Sequence, residues 1–230
     1  MRKTKIPSEV VYALAILFLA LSVALLEKAY IGVPLEVSPA HALYFVVKEF
    51  WPFFTLGMAE IIMQSIVILI MICIMKKSAL SHLWSLVTAV IYAVVLDGIL
   101  FLLEGFHPHD MATRVALFLA SCILMPIGVE LMFRTHVAHE SDELFVLEIS
   151  EHCEYHPHAV KAIFYISCGV VAAAIELIVF KHWDFQALGV GTIVFLFTKT
   201  TMCHFTGSLI DLFFDVVPIS ELKEKRKEKN

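Results

Sequence analysis

Six apolar runs of about twenty residues dominate this chain, and each is long enough to carry a helix across the ~30 Å hydrocarbon core of a bilayer. They are Ser8–Leu26, Leu56–Met75, Leu83–Leu103, Ala112–Phe133, Ala159–Phe180 and Leu188–Phe214. In lipid a backbone must satisfy its own hydrogen bonds, so runs of this kind fold as helices or not at all. Composition agrees: 60% of the 230 residues are hydrophobic and 17% are charged, where an ordinary soluble domain has roughly 25% charged. The pattern excludes a water-soluble globule and a disordered chain. The reading is an all-α polytopic membrane protein whose main partner is the lipid bilayer.

Charge orients the spans. Lysine and arginine concentrate on cytoplasmic loops, and with the N-terminus inside that side receives Arg2, Lys3, Lys5, Lys76, Lys77, Arg134, Lys161 and the tail from Lys223 to Lys229. The other side receives Lys28, Lys48, Arg114 and Lys181. Both termini are therefore expected in the cytoplasm, with the first run kept as a span rather than cleaved as a leader. With 17 basic residues against 22 acidic ones, nothing draws the chain to nucleic acid.

Two connections are too long for turns and carry amphipathic patterns. After the first span, Pro39 suits the first turn of a short helix, with Leu43, Phe45, Val46, Val47 and Phe50 on its apolar face. After the fourth, Ser141 can cap a helix bearing Leu144, Phe145, Val146, Leu147 and Ile149. Each half thus reads as span, short amphipathic or re-entrant helix, span, span. A unit with three spans must be inverted in its second copy, a plan that recurs among secondary transporters. The expected units are residues 1–110, residues 111–217 in inverted topology, and a basic cytoplasmic tail at 218–230.

The stretches GVPLEVSPAHALYF, FTLGMAEIIMQS, AVIYAVVLDGILFLLE, MFRTHVAHESDELFVLEIS and LGVGTIVF resemble the YczE/YyaS/YitT-type bacterial membrane proteins, an uncharacterised family. The resemblance runs from about Leu26 to Asp211 and departs in the sixth span, at TKTTMCHFTG. It implies six spans in two related halves and a commonly supposed transport role, without a substrate.

Ionisable groups inside membrane helices are costly unless they face a cavity or a partner, so each marks a candidate site. Glu60 and Gln64 share a face of the second span, Asp97 and Glu104 lie toward one end of the third, and Glu176 toward one end of the fifth. In the sixth, Lys199, Cys203 and Gly207 follow at i, i+4 and i+8, broadened by Thr206. Lys199 lies about 16 Å into that span and needs a counter-charge, for which Asp97 or Glu60 has suitable depth. The expected substrate site is lined by Glu60, Gln64, Asp97, Lys199, Cys203 and Thr206. Gly189 and Gly191, opening the sixth span, are expected to serve helix packing.

His136, His139, His152, Cys153, His156 and His158 offer nitrogen and sulfur donors for a metal, without an HExxH or CxxC spacing. No nucleophile motif or cofactor fingerprint is present, so neither an enzyme nor a cofactor is expected. The function expected first is a small-solute permease or secondary transporter, with a small molecule or ion as substrate. The second is an accessory or sensor docking a cytoplasmic protein through residues 134–158, whose acids include Glu143, Glu148, Glu151 and Glu154. The third is a divalent-metal transporter. Assembly as a homo-oligomer is compatible with any of them.

Overall fold

The structure, a computed structural model, describes residues 4–76, 80–135, 141–180 and 187–217. Every apolar run forms a helix within a few residues of its sequence-expected bounds. The long helices are α1 (Ser8–Ala29), α3 (Leu56–Met75), α4 (Leu80–Leu102), α5 (Met111–Arg134), α7 (Pro157–Phe180) and α8 (Val190–Phe213). The two connections supply α2 (Ser38–Phe50) and α6 (Ser141–Cys153). Five helices are long and apolar enough to cross a membrane, and α8 makes a sixth if its bent halves count as one span. The chain is a multi-pass membrane protein.

Local chemistry sets the ends. Thr55 caps α3 by accepting the Met58 N–H, and Asp110 caps α5 by accepting the Thr113 N–H at 2.7 Å. Its hydrogen bonds to the Thr113 hydroxyl and N–H hold the Asp110 carboxyl below the usual carboxylate range. Tyr30 and Lys76 end α1 and α3 in the left-handed conformation.

Helix α8 is bent by 44° between Val190–Lys199 and Thr201–Phe213. The hydroxyls of Thr198, Thr206 and Ser208 donate to carbonyls one turn back, a pattern that bends helices. One feature lies outside the all-helical expectation: residues Thr4–Pro7 (β1) and Phe214–Val217 (β2) form a short parallel pair that joins the start of α1 to the end of α8. Ile6, Val216 and Val217 suit strands better than helices.

Helix α1 lies along α5 and also packs on α4; α5 packs on α8; α2 packs on α7 and α3; α6 packs on α3 and α7. The α1–α5 crossing is close because Gly128 faces Leu19, where a Cβ would stand 2.8 Å from the leucine side chain. Large apolar side chains point outward along the spans, including Leu69, Val94, Ile163 and Phe197. That surface would aggregate in water and suits hydrocarbon.

The short helices differ from expectation in detail. The buried face of α2 comes from its first turns, Ser38 through Ala42 with Tyr44, while Phe50 is 79% exposed. Ser141 stands at the head of α6, and its hydroxyl donates to the Gln64 side-chain carbonyl at 2.8 Å. Gly189 and Gly191 accommodate the backbone of the connection after α1, and Gly191 also faces the Phe118 ring of α5. Residues 31–33 lie against them through Val33 N–H to the Ala187 carbonyl and Gly191 N–H to the Ile31 carbonyl. Gly32, at φ 118°, completes the contact: its Cβ would stand 2.7 Å from the Gly189 nitrogen.

Candidate functional site

A thirteen-residue helix is about 20 Å long, too short to cross, and α2 and α6 are both thirteen residues. The approach to α2 and the head of α6 face one cavity inside the bundle. Glu36, two residues before α2, and Asp142 and Glu143, at the head of α6, line one interior cavity of about 40 Å3 together with Glu60 of α3 and Lys199 of α8. Tyr92 and Tyr165 lie on the same wall.

Lys199 Nζ donates to the Glu36 carboxylate and to the Tyr165 hydroxyl, the latter at 3.3 Å. The side chains of Lys199 and Glu36 are 11% and 9% exposed. Burial of both charges is tolerable because each neutralises the other and the phenol satisfies a further ammonium hydrogen. The counter-charge of Lys199 is therefore Glu36, and not Asp97 or Glu60. Lys161 of α7 reaches Glu143 at 3.3 Å.

Glu36, Tyr165 and Lys199 also line a second cavity, of about 170 Å3, between α7 and α8. Its walls are mixed: Pro34, Leu35, Ala162, Phe195 and Leu196 are apolar, Lys161 is charged, and His158 brings it to the surface. The Glu36–Lys199 pair thus stands between an open cavity and an inner one.

The sequence-expected residues divide. Glu60 and Lys199 share the inner cavity, and Gln64 sits one turn from Glu60, holding the head of α6 through Ser141. Asp97 is elsewhere: it accepts from the Thr55 hydroxyl at 2.7 Å and the Gly57 N–H at 2.8 Å, bracing the start of α3 against α4. Thr206 donates to the Met202 and Cys203 carbonyls of its own helix, and Cys203 packs at the edge of the core. The far end of that polar face is occupied by Arg134, which binds Asp211 through Nε and Nη2 and Glu130 through Nη1. Glu176 accepts the Ala187 N–H at 3.3 Å and steadies the approach to α8.

Of the proposed metal donors, His152, Cys153, His156 and His158 are exposed, and His136 and His139 lie outside the described residues. Among the described residues, no three or more His, Cys, Asp or Glu groups gather in a set fit to hold a metal. Sequence reasoning passed over Glu36 and Tyr165. A carboxylate two residues ahead of a Ser-Pro helix start, in a connection too short to span, was the available signal for Glu36.

The model of the Family of unknown function (DUF6198) matches residues 6–213. The chain belongs to this family. The DUF6198 match runs from the residue pair before α1 to the last residue of α8, so it contains Glu36, Glu60, Tyr165 and Lys199. It gives an uncharacterised family without the finer YczE/YyaS/YitT affiliation. No curated protein and no solved structure matches the chain.

Proposed function

We propose that this chain is a permease or secondary transporter for a small cationic solute, with its site where α2 and α6 begin. One observation carries the reading. Two helices too short to cross the membrane start at a single interior cavity, where Glu36, Glu60, Asp142 and Glu143 gather around Lys199. Among the described residues, with Lys161 beside Glu143, four carboxylates and two ammonium groups gather there, which favours a positively charged guest.

Packing supports two inverted repeats, α1–α4 and α5–α8. Exchanging the units turns the α1–α4 contact into α5–α8, α2–α7 into α6–α3, and α2–α3 into α6–α7, and each of these contacts is made. Helix α1 against α5 would lie on the pseudo-axis. Among the described residues the exchange fails at two pairs: α3 packs on α4 and α4 on α6, whereas α7 and α8 stand apart around the 170 Å3 cavity and α8 does not pack on α2. In an alternating-access cycle this is a state open on one side. Under the positive-inside reading, His158 and Lys161 put the open side in the cytoplasm.

The docking reading draws less support, because acids of that segment are engaged within the protein: Glu148 pairs with His82 at 2.7 Å and Glu143 with Lys161. The carrier needs no catalytic group or cofactor. The test is a thermal-shift screen of purified protein with amines, amino acids, carboxylates and divalent metals, followed by uptake into liposomes. A ligand at 100 times its Kd stabilises by about 2.7 kcal/mol. Stabilisation by amines that disappears in Glu36→Gln and Glu60→Gln supports the site. Stabilisation by carboxylates alone, or retained in both variants, overturns it.

A further inference from the structure

Helix α2 carries His41 into the interior, 1% exposed, and α1 brings Glu27 beside it at 8%. His41 Nε2 lies 3.5 Å from Glu27 Oε2, and neither ring nitrogen has a hydrogen-bond partner of good geometry. The Val37 carbonyl, one turn back, is the other group that favours a charged ring. Glu27 also lines a cavity of about 440 Å3 that runs past the end of α1, the α2 face and α4. The carboxylate is therefore approached from the cavity, and the imidazole is sealed behind it.

We propose that Glu27 and His41 together form a proton-binding site, loaded through this cavity. One proton enters a pair made of a carboxylate and a neutral imidazole. It is held on the Glu27 carboxyl beside the neutral imidazole, and the pair's charge goes from −1 to 0. Low-dielectric surroundings favour the uncharged total, and the added proton gives the carboxyl an O–H that can donate to an imidazole nitrogen. Burial alone pushes the imidazole below its ordinary value, so an isolated His41 would stay neutral and the carboxylate is what makes the site.

The surrounding charges oppose one another. Lys28 on α1 and Lys48 on α2 bring positive charge to the cavity, and Asp97 and Glu104 of α4 bring negative charge to it. Tyr30, Tyr44 and His107 complete that cavity's titratable lining, and α7 and α3, packed on α2, contribute the buried Glu176 and Glu60. Proton binding is a property of the purified chain whether or not it transports. In the transporter it is the coupling-ion site.

The test uses the full chain in lipid nanodiscs between pH 4.5 and 9, as wild type, Glu27→Gln and His41→Gln. The infrared difference spectrum between low and high pH reads the protonated carboxyl directly. The wild type is expected to show a carboxyl band that Glu27→Gln lacks. In His41→Gln that band should move to lower pH by a unit or more, a tenfold loss of proton affinity. A proton held more tightly by the folded chain stabilises it at low pH, and this stability is lost as pH rises through the folded-state value. Tm of the wild type should therefore step down on raising pH, and the step should vanish in Glu27→Gln. An unchanged band or step in Glu27→Gln overturns the site. Should that variant fail to fold, an unshifted carboxyl band in His41→Gln overturns it equally.

Discussion

Lys199 and Glu36, 163 residues apart in the chain, form an ion pair that joins the bent middle of α8 to the turn preceding α2. The contact links the two halves at the point where the two cavities meet, so it constrains both packing and passage. Removing one partner leaves the other charge buried, which typically costs about 3–5 kcal/mol. Lys199→Met and Glu36→Gln should each lower thermal stability. The double variant should be more stable than Lys199→Met, because no lone charge remains. A cycle of the four proteins by thermal unfolding checks this; additive losses would mean that the two residues do not act as a pair.

Much of this arrangement was legible in the sequence. Apolar run length fixed the long helices, since lipid leaves a backbone no alternative, and the Ser-Pro and Ser141 starts marked the half-helices. Lys199 stood out because a cation amid apolar residues has few explanations. Its partner did not. Depth along a straight span suggested Asp97 or Glu60, but the connection after α1 turns back into the bundle and delivers Glu36 to the same depth. A loop that returns to the interior is not visible to arithmetic that measures spans one at a time. Asp97 misled for the complementary reason: a carboxylate near a helix end is as useful for capping a neighbour as for binding a ligand.

Asp97 should therefore behave as a brace. Asp97→Ala removes the acceptor for the Thr55 hydroxyl and the Gly57 N–H, and losing such a cap costs about 0.5–2 kcal/mol. Asp97→Asn keeps one acceptor oxygen and should recover part of the loss. In the uptake assay both variants should retain activity at temperatures where they are folded. Complete loss of uptake in a stable Asp97→Asn protein would return Asp97 to the substrate site.

Glycines separate tight backbone approach from lipid-facing helix. A Cβ on Gly191 would stand 2.5 Å from the Phe118 ring and 3.1 Å from the Ile31 and Gly32 carbonyls. Backbone cannot step aside as a side chain can, so Gly191→Ala should destabilise by about 1–3 kcal/mol. Gly98 of α4 has nothing within 4 Å of its Cβ position, and alanine there removes a helix-interior glycine worth about 0.5–1 kcal/mol. Gly98→Ala should be neutral or stabilising. Paired melting curves in one detergent check the contrast, and equal effects at the two sites would contradict the close approach of residues 31–33 to the start of α8.

Orientation has its own test. Cys153 is exposed at the end of α6 and Cys73 is exposed near the end of α3, while His107 is exposed in the connection between α4 and α5. In a Cys73→Ser background, Cys153 should react with a membrane-impermeant maleimide only after cells are opened. A cysteine introduced as His107→Cys should react in intact cells. The argument is electrostatic: Lys76, Arg134 and Lys161 cluster on the Cys153 side, and basic loops stay in the cytoplasm. The reverse labelling pattern would invert the molecule, and the open cavity at His158 would then face outward.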